Sequence, residues 1–203
     1  ADNNIAIGNS ALGANTTGTD NIAVGRNAAD AITTSSYNVA IGGNSLTAAT
    51  TGDGRNVAIG QGAMAATTTG AYNVGIGEGA LAANTTANRN TAIGAAALGV
   101  NTTGANNVAL GAYALDANTT GAQNTAVGDG ALGANTTAND NVGIGFGALT
   151  ANTTGAENTA IGGYGSLATN TTGSYNTAVG RLALWKLTTG SENTCVGKAA
   201  GDA

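Results

Sequence analysis

The chain has 203 residues, of which 42% are hydrophobic, 3% aromatic and 8% charged, and six basic against eleven acidic side chains leave a net charge of −5. No basic stretch offers an electrostatic footprint for nucleic acid, and no run of about 18 apolar residues offers a membrane span. With no His and a single Cys, Cys195, a His/Cys metal site and a disulfide framework are both excluded, and no cofactor is expected.

There are 34 Gly and no Pro, and the apolar content is mostly Ala, Val and Ile. The core must therefore be thin, with backbones close together. One unit recurs throughout, most regularly from Asn107 to Asn158: Asn-x-Ala/Gly-Ile/Leu/Val-Gly-x-x-Ala-Leu-x-Ala-Asn-Thr-Thr-x-x-x. Its Asn falls at 4, 21, 38, 56, 73, 90, 107, 124, 141, 158, 176 and 193, a spacing of 17 with two steps of 18. Self-similarity at a fixed period marks one supersecondary unit stacked on copies of itself. Residues 1–203 read as a single repeat domain, and the ends fit an excerpt of a longer chain.

The first element of each unit follows the Asn. Position two is β-branched (Ile5, Val39, Thr91, Thr194), position three is Ala, Gly or Cys, position four is Ile, Val or Leu, and Gly closes the run from Gly8 to Gly197. Alternating β-branched residues ended by Gly predict a short strand, while repeated Gly, Thr and Asn oppose a helix. The second element holds Ala-Leu near position nine (Leu12, Leu46, Leu81, Leu98, Leu115, Leu132, Leu149) and the Thr pair at positions 13 and 14, from Thr16-Thr17 to Thr188-Thr189. It predicts a second strand, with Leu inward and the Thr pair alternating in and out.

The irregular steps locate the corners. The extra residues fall in Gly52-Asp53-Gly54-Arg55 and in Gly162-Gly163-Tyr164-Gly165, and insertions are tolerated at turns but scramble facing inside strands. Charged residues collect at the same corners: Arg26, Glu78, Asp129, Arg181 and Lys198 at position six, and Asp20, Arg89, Asp140, Glu157 and Glu192 just before the Asn. The expected fold is all-β, a parallel β-roll of about twelve 17-residue coils with two short strands per coil. At about 4.7 Å per coil it extends roughly 55 Å. The invariant Asn forms a corner ladder of amides up the stack.

Both faces of the first strand are apolar, which is how a strand buried on both sides reads. Ile93, Leu110 and Ile144 are expected to fill the roll. The other face needs a cover that no helix provides, and another copy of the chain supplies it in a closed oligomer with first strands at the axis. On this reading Leu110→Asp is ruinous and Ala112→Asp harmless.

The run Asn-Val-Ala-Ile-Gly or Asn-Thr-Ala-Ile-Gly resembles the head repeats of trimeric autotransporter adhesins of the YadA type. The longer form with Ala-Leu-x-x-Asn-Thr-Thr-Gly is similar to repeat regions of bacterial and phage tail-fibre domain proteins. The resemblance implies a left-handed parallel β-roll, a homotrimer, and a fibre or adhesive role outside the cell, at a cell surface or on a virion. The unit here is longer than that of adhesin heads.

No catalytic constellation is present: carboxylates are scattered about one per coil and no His serves as base, so an enzyme is not expected and no catalytic, metal or cofactor-binding residue is assigned. Gly75-Ile76-Gly77 and Gly143-Ile144-Gly145 are repeat glycines without the strand-then-helix context of a phosphate loop. Cys195 takes the small-residue slot and is expected to be a buried thiol. Leu182-Ala183-Leu184-Trp185-Lys186-Leu187 is expected to close the roll as an apolar plug. Asn15, Asn84, Asn101, Asn118, Asn135, Asn152 and Asn170 each head an Asn-Thr-Thr sequon, a by-product of the repeat in a bacterial protein and a column of glycans in a eukaryotic secreted one. Three functions compete. The first is a structural, adhesive fibre segment making many weak contacts to an unknown surface ligand, with no nucleic acid partner and no insertion in a membrane. The second is an ice-binding solenoid using the Thr-Thr ladder, and the third a self-assembling extracellular filament subunit.

Overall fold

The computed structural model describes residues 2–202, and each unit contributes one strand. The twelve strands are β1 (Ile5–Ile7), β2 (Ile22–Val24), β3 (Val39–Ile41), β4 (Val57–Ile59), β5 (Val74–Ile76), β6 (Thr91–Ile93), β7 (Val108–Leu110), β8 (Thr125–Val127), β9 (Val142–Ile144), β10 (Thr159–Ile161), β11 (Thr177–Val179) and β12 (Thr194–Val196). They form one parallel sheet in sequence order, so the chain is an all-β solenoid of about eleven turns. Equivalent residues pair, Thr91 with Val74 on one side and with Val108 on the other. The register passes unchanged through both longer coils, pairing Val39 with Val57 and Thr159 with Thr177. The extra residues therefore lie outside the strands, as their composition predicts.

The expected second strand does not form. In coil seven the chain turns continuously over residues 112–117, because Tyr113 (φ 54°) and Leu115 (φ 52°) both adopt the left-handed conformation. The same holds for Ala96 and Leu98, at 54° and 50°. Two left-handed residues separated by one other cannot propagate an extended ladder. The segment still bonds coil to coil, with Leu98 N–H donating to Ala114 O and Leu115 N–H to Ala131 O, each at 3.0 Å. β-Branched side chains are costly in this conformation, which explains why the slot holds Leu, or Met64 and Ala29 in its place, and never Ile or Val.

The facing of the strands is the reverse of expectation. Ala109 is fully buried, whereas Val108 and Leu110 are 39% and 44% exposed. Leu115 and its equivalents occupy the lumen, and the space left beside them takes little more than a methyl group. A Cβ added at Gly143 would lie 3.2 Å from Leu132 Cγ, and one at Gly75 would lie 2.9 Å from Met64 Cγ. Position three is thus the inward one, and Ile93, Leu110 and Ile144 project from the outer face of the sheet. The core is a column of Leu against columns of Ala: Ala109, Ala114 and Leu115 at one level, Ala126, Ala131 and Leu132 at the next.

The Gly after each strand is held by stacking. At Gly94 (φ +138°) an added Cβ would stand 2.4 Å from the carbonyl oxygen of Gly111 in the next coil. Neither the conformation nor the space admits a side chain.

Two ladders of buried amides complete the interior. In the first, Asn107 N–H donates to Asn90 Oδ1 (2.9 Å), Asn124 N–H to Asn107 Oδ1 (2.9 Å), and Asn107 Nδ2 to Gly121 O (2.8 Å). In the second, Asn118 Nδ2 donates to Asn101 Oδ1 and to the same Gly121 O, both at 2.9 Å. Among the described residues every buried side-chain nitrogen and oxygen has a partner. A narrow solenoid with so little apolar volume depends on that completeness.

Candidate functional site

Three of the fold's outward surfaces are candidates. The first is the sheet itself, with two columns of aliphatic or Thr side chains at positions two and four. Ile41, Ile93, Val108, Leu110 and Ile161 are between 36% and 44% exposed. All twelve strands are in register, so both columns repeat at about 4.8 Å per strand. Thr at position two in β6, β8, β10, β11 and β12 breaks the column with hydroxyls without turning it polar.

The second surface carries the Thr pair. Neither member turns inward; the lumen position beside them is taken by the preceding Asn, such as Asn101. Thr102 is half-buried and donates its hydroxyl to Thr119 O at 3.0 Å, and Thr119 repeats this to Thr136 O at 3.1 Å. Thr103, Thr120 and Thr137 are exposed. The first Thr column is therefore consumed by the backbone ladder, and one column of free hydroxyls remains.

The third surface is the corner column before the ladder Asn. Tyr37, Arg55, Tyr72 and Arg89 follow one another on successive coils, then Asn106 and Gln123, then Asp140, Glu157, Tyr175 and Glu192. All ten are left-handed, with φ between 56° and 62°. Asn3 and Asp20 precede these ten, so the column opens polar and acidic, is basic and aromatic from Tyr37 to Arg89, and is acidic again from Asp140 on. In this last stretch the Glu157 carboxylate, by its charge and its hydrogen bond, raises the Tyr175 hydroxyl above the ordinary tyrosine value of 10.0. Spectrophotometric titration is expected to show that phenol ionising late, and Glu157→Gln is expected to bring it back toward the ordinary value. A curve unchanged by the substitution would contradict the contact.

Six of the seven sequon asparagines leave no room for a glycan in this fold, and the seventh, Asn15, is half-buried with its amide bonded to Gly18 at 3.0 Å. Asn84, Asn101, Asn118, Asn135, Asn152 and Asn170 are fully buried, and the Asn118 amide is spent on Asn101 and Gly121. The apolar run near the end plugs the lumen only in part. Ala183 and Leu184 are buried there, but Trp185 is 38% exposed under Lys186, whose Nζ lies 5.7 Å from the ring centre. Cys195 lies on the inward column of β12 and is half-buried rather than enclosed. Among the described residues no three His, Cys, Asp or Glu come together to hold a metal ion. No helix among them is long and apolar enough to cross a membrane.

Comparison with family models, with curated proteins and with solved structures returned no match in any of the three.

Along the chain the charges of the third surface read only as scattered corner residues. The signal that assembles them was the common spacing of Tyr37, Arg55, Tyr72 and Arg89, which places ring and guanidinium on adjacent coils.

Proposed function

We propose that the chain is a structural, adhesive segment of a homotrimeric extracellular fibre, with the twelve-stranded sheet of each copy turned toward a common axis. The observation that carries this is the outer face of the sheet. A continuous aliphatic column at position four runs the length of the solenoid beside a mixed column of Ile, Val and Thr at position two, and contiguous apolar surface on that scale marks an interface. The lumen has no space for them, so the cover must come from outside the chain. Three copies bury the columns symmetrically, and the corners, with their Tyr, Arg, Asp and Glu side chains, stay outward for many weak contacts. The motif resemblance to YadA-type heads points the same way.

Leu110→Asp tests the assembly. Its side chain leaves the outer face, so the single solenoid should tolerate Asp with little loss. At the axis three carboxylates would meet at one level, desolvated and mutually repelling. Sedimentation equilibrium is expected to give three chains for the parent and one for the variant, with the β-type circular dichroism spectrum kept. A parent that sediments as one chain at micromolar concentration, or a variant that remains trimeric, removes the proposal.

The second reading, ice binding, gains a specific observation. A regularly spaced two-column array lies on the sheet, with Thr and aliphatic side chains, and not at the Thr pair. The two readings claim the same face, covered in one and bare in the other. A monomer showing thermal hysteresis would favour ice.

A further inference from the structure

The basic stretch of the corner column forms a stack of alternating rings and guanidinium groups. The Arg55 guanidinium carbon lies 5.1 Å from the ring centre of Tyr37 and 5.4 Å from that of Tyr72, and the Arg89 guanidinium carbon lies 5.8 Å from Tyr72 on its other side. Stacking of this kind holds the forks flat and lowers the ordering cost of a ligand contact. Arg55 Nη1 also donates to the Asp53 carbonyl at 3.1 Å, which ties the stack to the longer turn.

That turn makes a site. The extra residue of the 18-residue coil lies in Gly52-Asp53-Gly54, where Gly52 has φ +110° and Gly54 φ +67°. Beside it lies an open depression of about 270 Å³ whose polar walls are Asp53, Thr69, Tyr72, Asn88 and Arg89. Asn88 Oδ1 accepts from Ala71 N–H at 2.7 Å, which fixes the amide and leaves its N–H donors for another partner. The equivalent Asn139 makes the same bond to Ala122 N–H, but there its column neighbours are Gln123 and Asp140, with neither ring nor guanidinium. The second long coil also joins a bulge, Gly162–Gly165, to a ring and a cation, with the Arg181 guanidinium carbon 5.4 Å from the Tyr164 ring centre, but the depression lined by Asp53, Asn88 and Arg89 lies beside the first.

We propose that this depression binds a carboxylated sugar. The Arg89 fork pairs with the sugar carboxylate in two parallel hydrogen bonds, Asp53 accepts from ring hydroxyls, Asn88 donates to them, and Arg55 is the positioning residue that holds Tyr72 and the bulge. A dense polyanion such as nucleic acid or a sulfated chain fits worse, because Asp53 stands in the site and the whole chain carries −5. The inference deepens the fibre reading by giving the fibre a ligand, yet the site lies within one chain.

Calorimetric titration of the intact chain with trigalacturonate, sialyllactose, maltotriose and heparin tests it. Saturable binding of one or both acidic sugars is expected, with the first two probes separating a linear uronate from a terminal sialic acid. Maltotriose should fail to bind. Arg89→Gln should weaken binding about ten-fold or more, the loss of one charged hydrogen-bonded pair, whereas Arg26→Gln, on a different corner, should leave it unchanged. Both positions are exposed, and an unchanged melting temperature verifies the fold of each variant. Absence of saturable binding by either acidic sugar at millimolar concentration overturns the proposal. So do equal affinity for maltotriose, tighter binding of heparin, or an Arg89→Gln variant that binds like the parent. A trimer that binds no sugar removes the site and leaves the assembly standing; a monomer that binds does the opposite.

Discussion

Leu115→Asp is expected to lower the melting temperature by about 10–20 °C, or to split the transition into two, whereas Leu110→Asp in the same coil barely moves the melting of the single solenoid. Leu115 is fully buried in the lumen, packed in the column of Leu against Ala. Truncating such a side chain alone costs about 2–5 kcal/mol, and a carboxylate placed there has no cation and no water to meet it. In a domain of this size about 5 kcal/mol corresponds to the stated shift. Coils contact mainly their neighbours, so the damage can instead uncouple the coils on either side into separately melting blocks. Differential scanning calorimetry distinguishes these forms from a parent-like single transition, and the last would mean that the lumen is not where Leu115 places it.

Asn107→Ala is expected to cost about 2–4 kcal/mol, and Asn118→Ala, in the same coil and equally buried, about half of that. The difference lies in what each amide serves. Asn107 Oδ1 is the acceptor for the backbone N–H of Asn124, so its removal orphans a buried main-chain donor. Asn118 accepts only from a side chain, Asn135 Nδ2 at 3.0 Å, while the backbone N–H of Asn135 bonds to Leu132 O. The sequence already performs the milder experiment, since Ile32, Ala49, Thr67 and Leu187 stand in the second ladder's column. No residue but Asn stands in the first. Chemical denaturation of the two variants beside the parent gives the comparison, and equal losses would mean that the backbone contact is not what makes the first ladder invariant.

These two sites also show how far the sequence could be read. The period, the corners at Gly52–Arg55 and Gly162–Gly165, and the structural nature of the first Asn follow from spacing alone, because insertions and invariances report directly on turns and stacked contacts. The facing of the strands does not follow from apolarity, since Val-Ala-Leu is apolar on both sides. A subtler sign was present: position three never exceeds Cys in size, whereas position two admits Thr. A slot that accepts only the smallest side chains is the crowded one. The missing second strand had a comparable sign in the absence of Ile and Val from the Leu column, because a left-handed backbone excludes β-branching. The sugar site was hidden for another reason. Its residues come from three coils and meet only once the stack is wound, so that Asp53 and Arg89, far apart in the chain, line one depression.

The uniform step between coils has a consequence for inheritance. The contacts that join one coil to the next recur every seventeen residues: Asn124 bonds to Asn107 as Asn107 does to Asn90, and Thr102 to Thr119 as Thr119 does to Thr136. A gene encoding such a chain can gain or lose a block of seventeen codons and still match every partner, because the new coil meets neighbours of the kind it was copied from. Length is then adjustable in steps of about 4.8 Å, with no new interface to invent. Misaligned recombination between near-identical repeats, a hazard in most coding sequences, becomes here a means of setting how far the rod reaches.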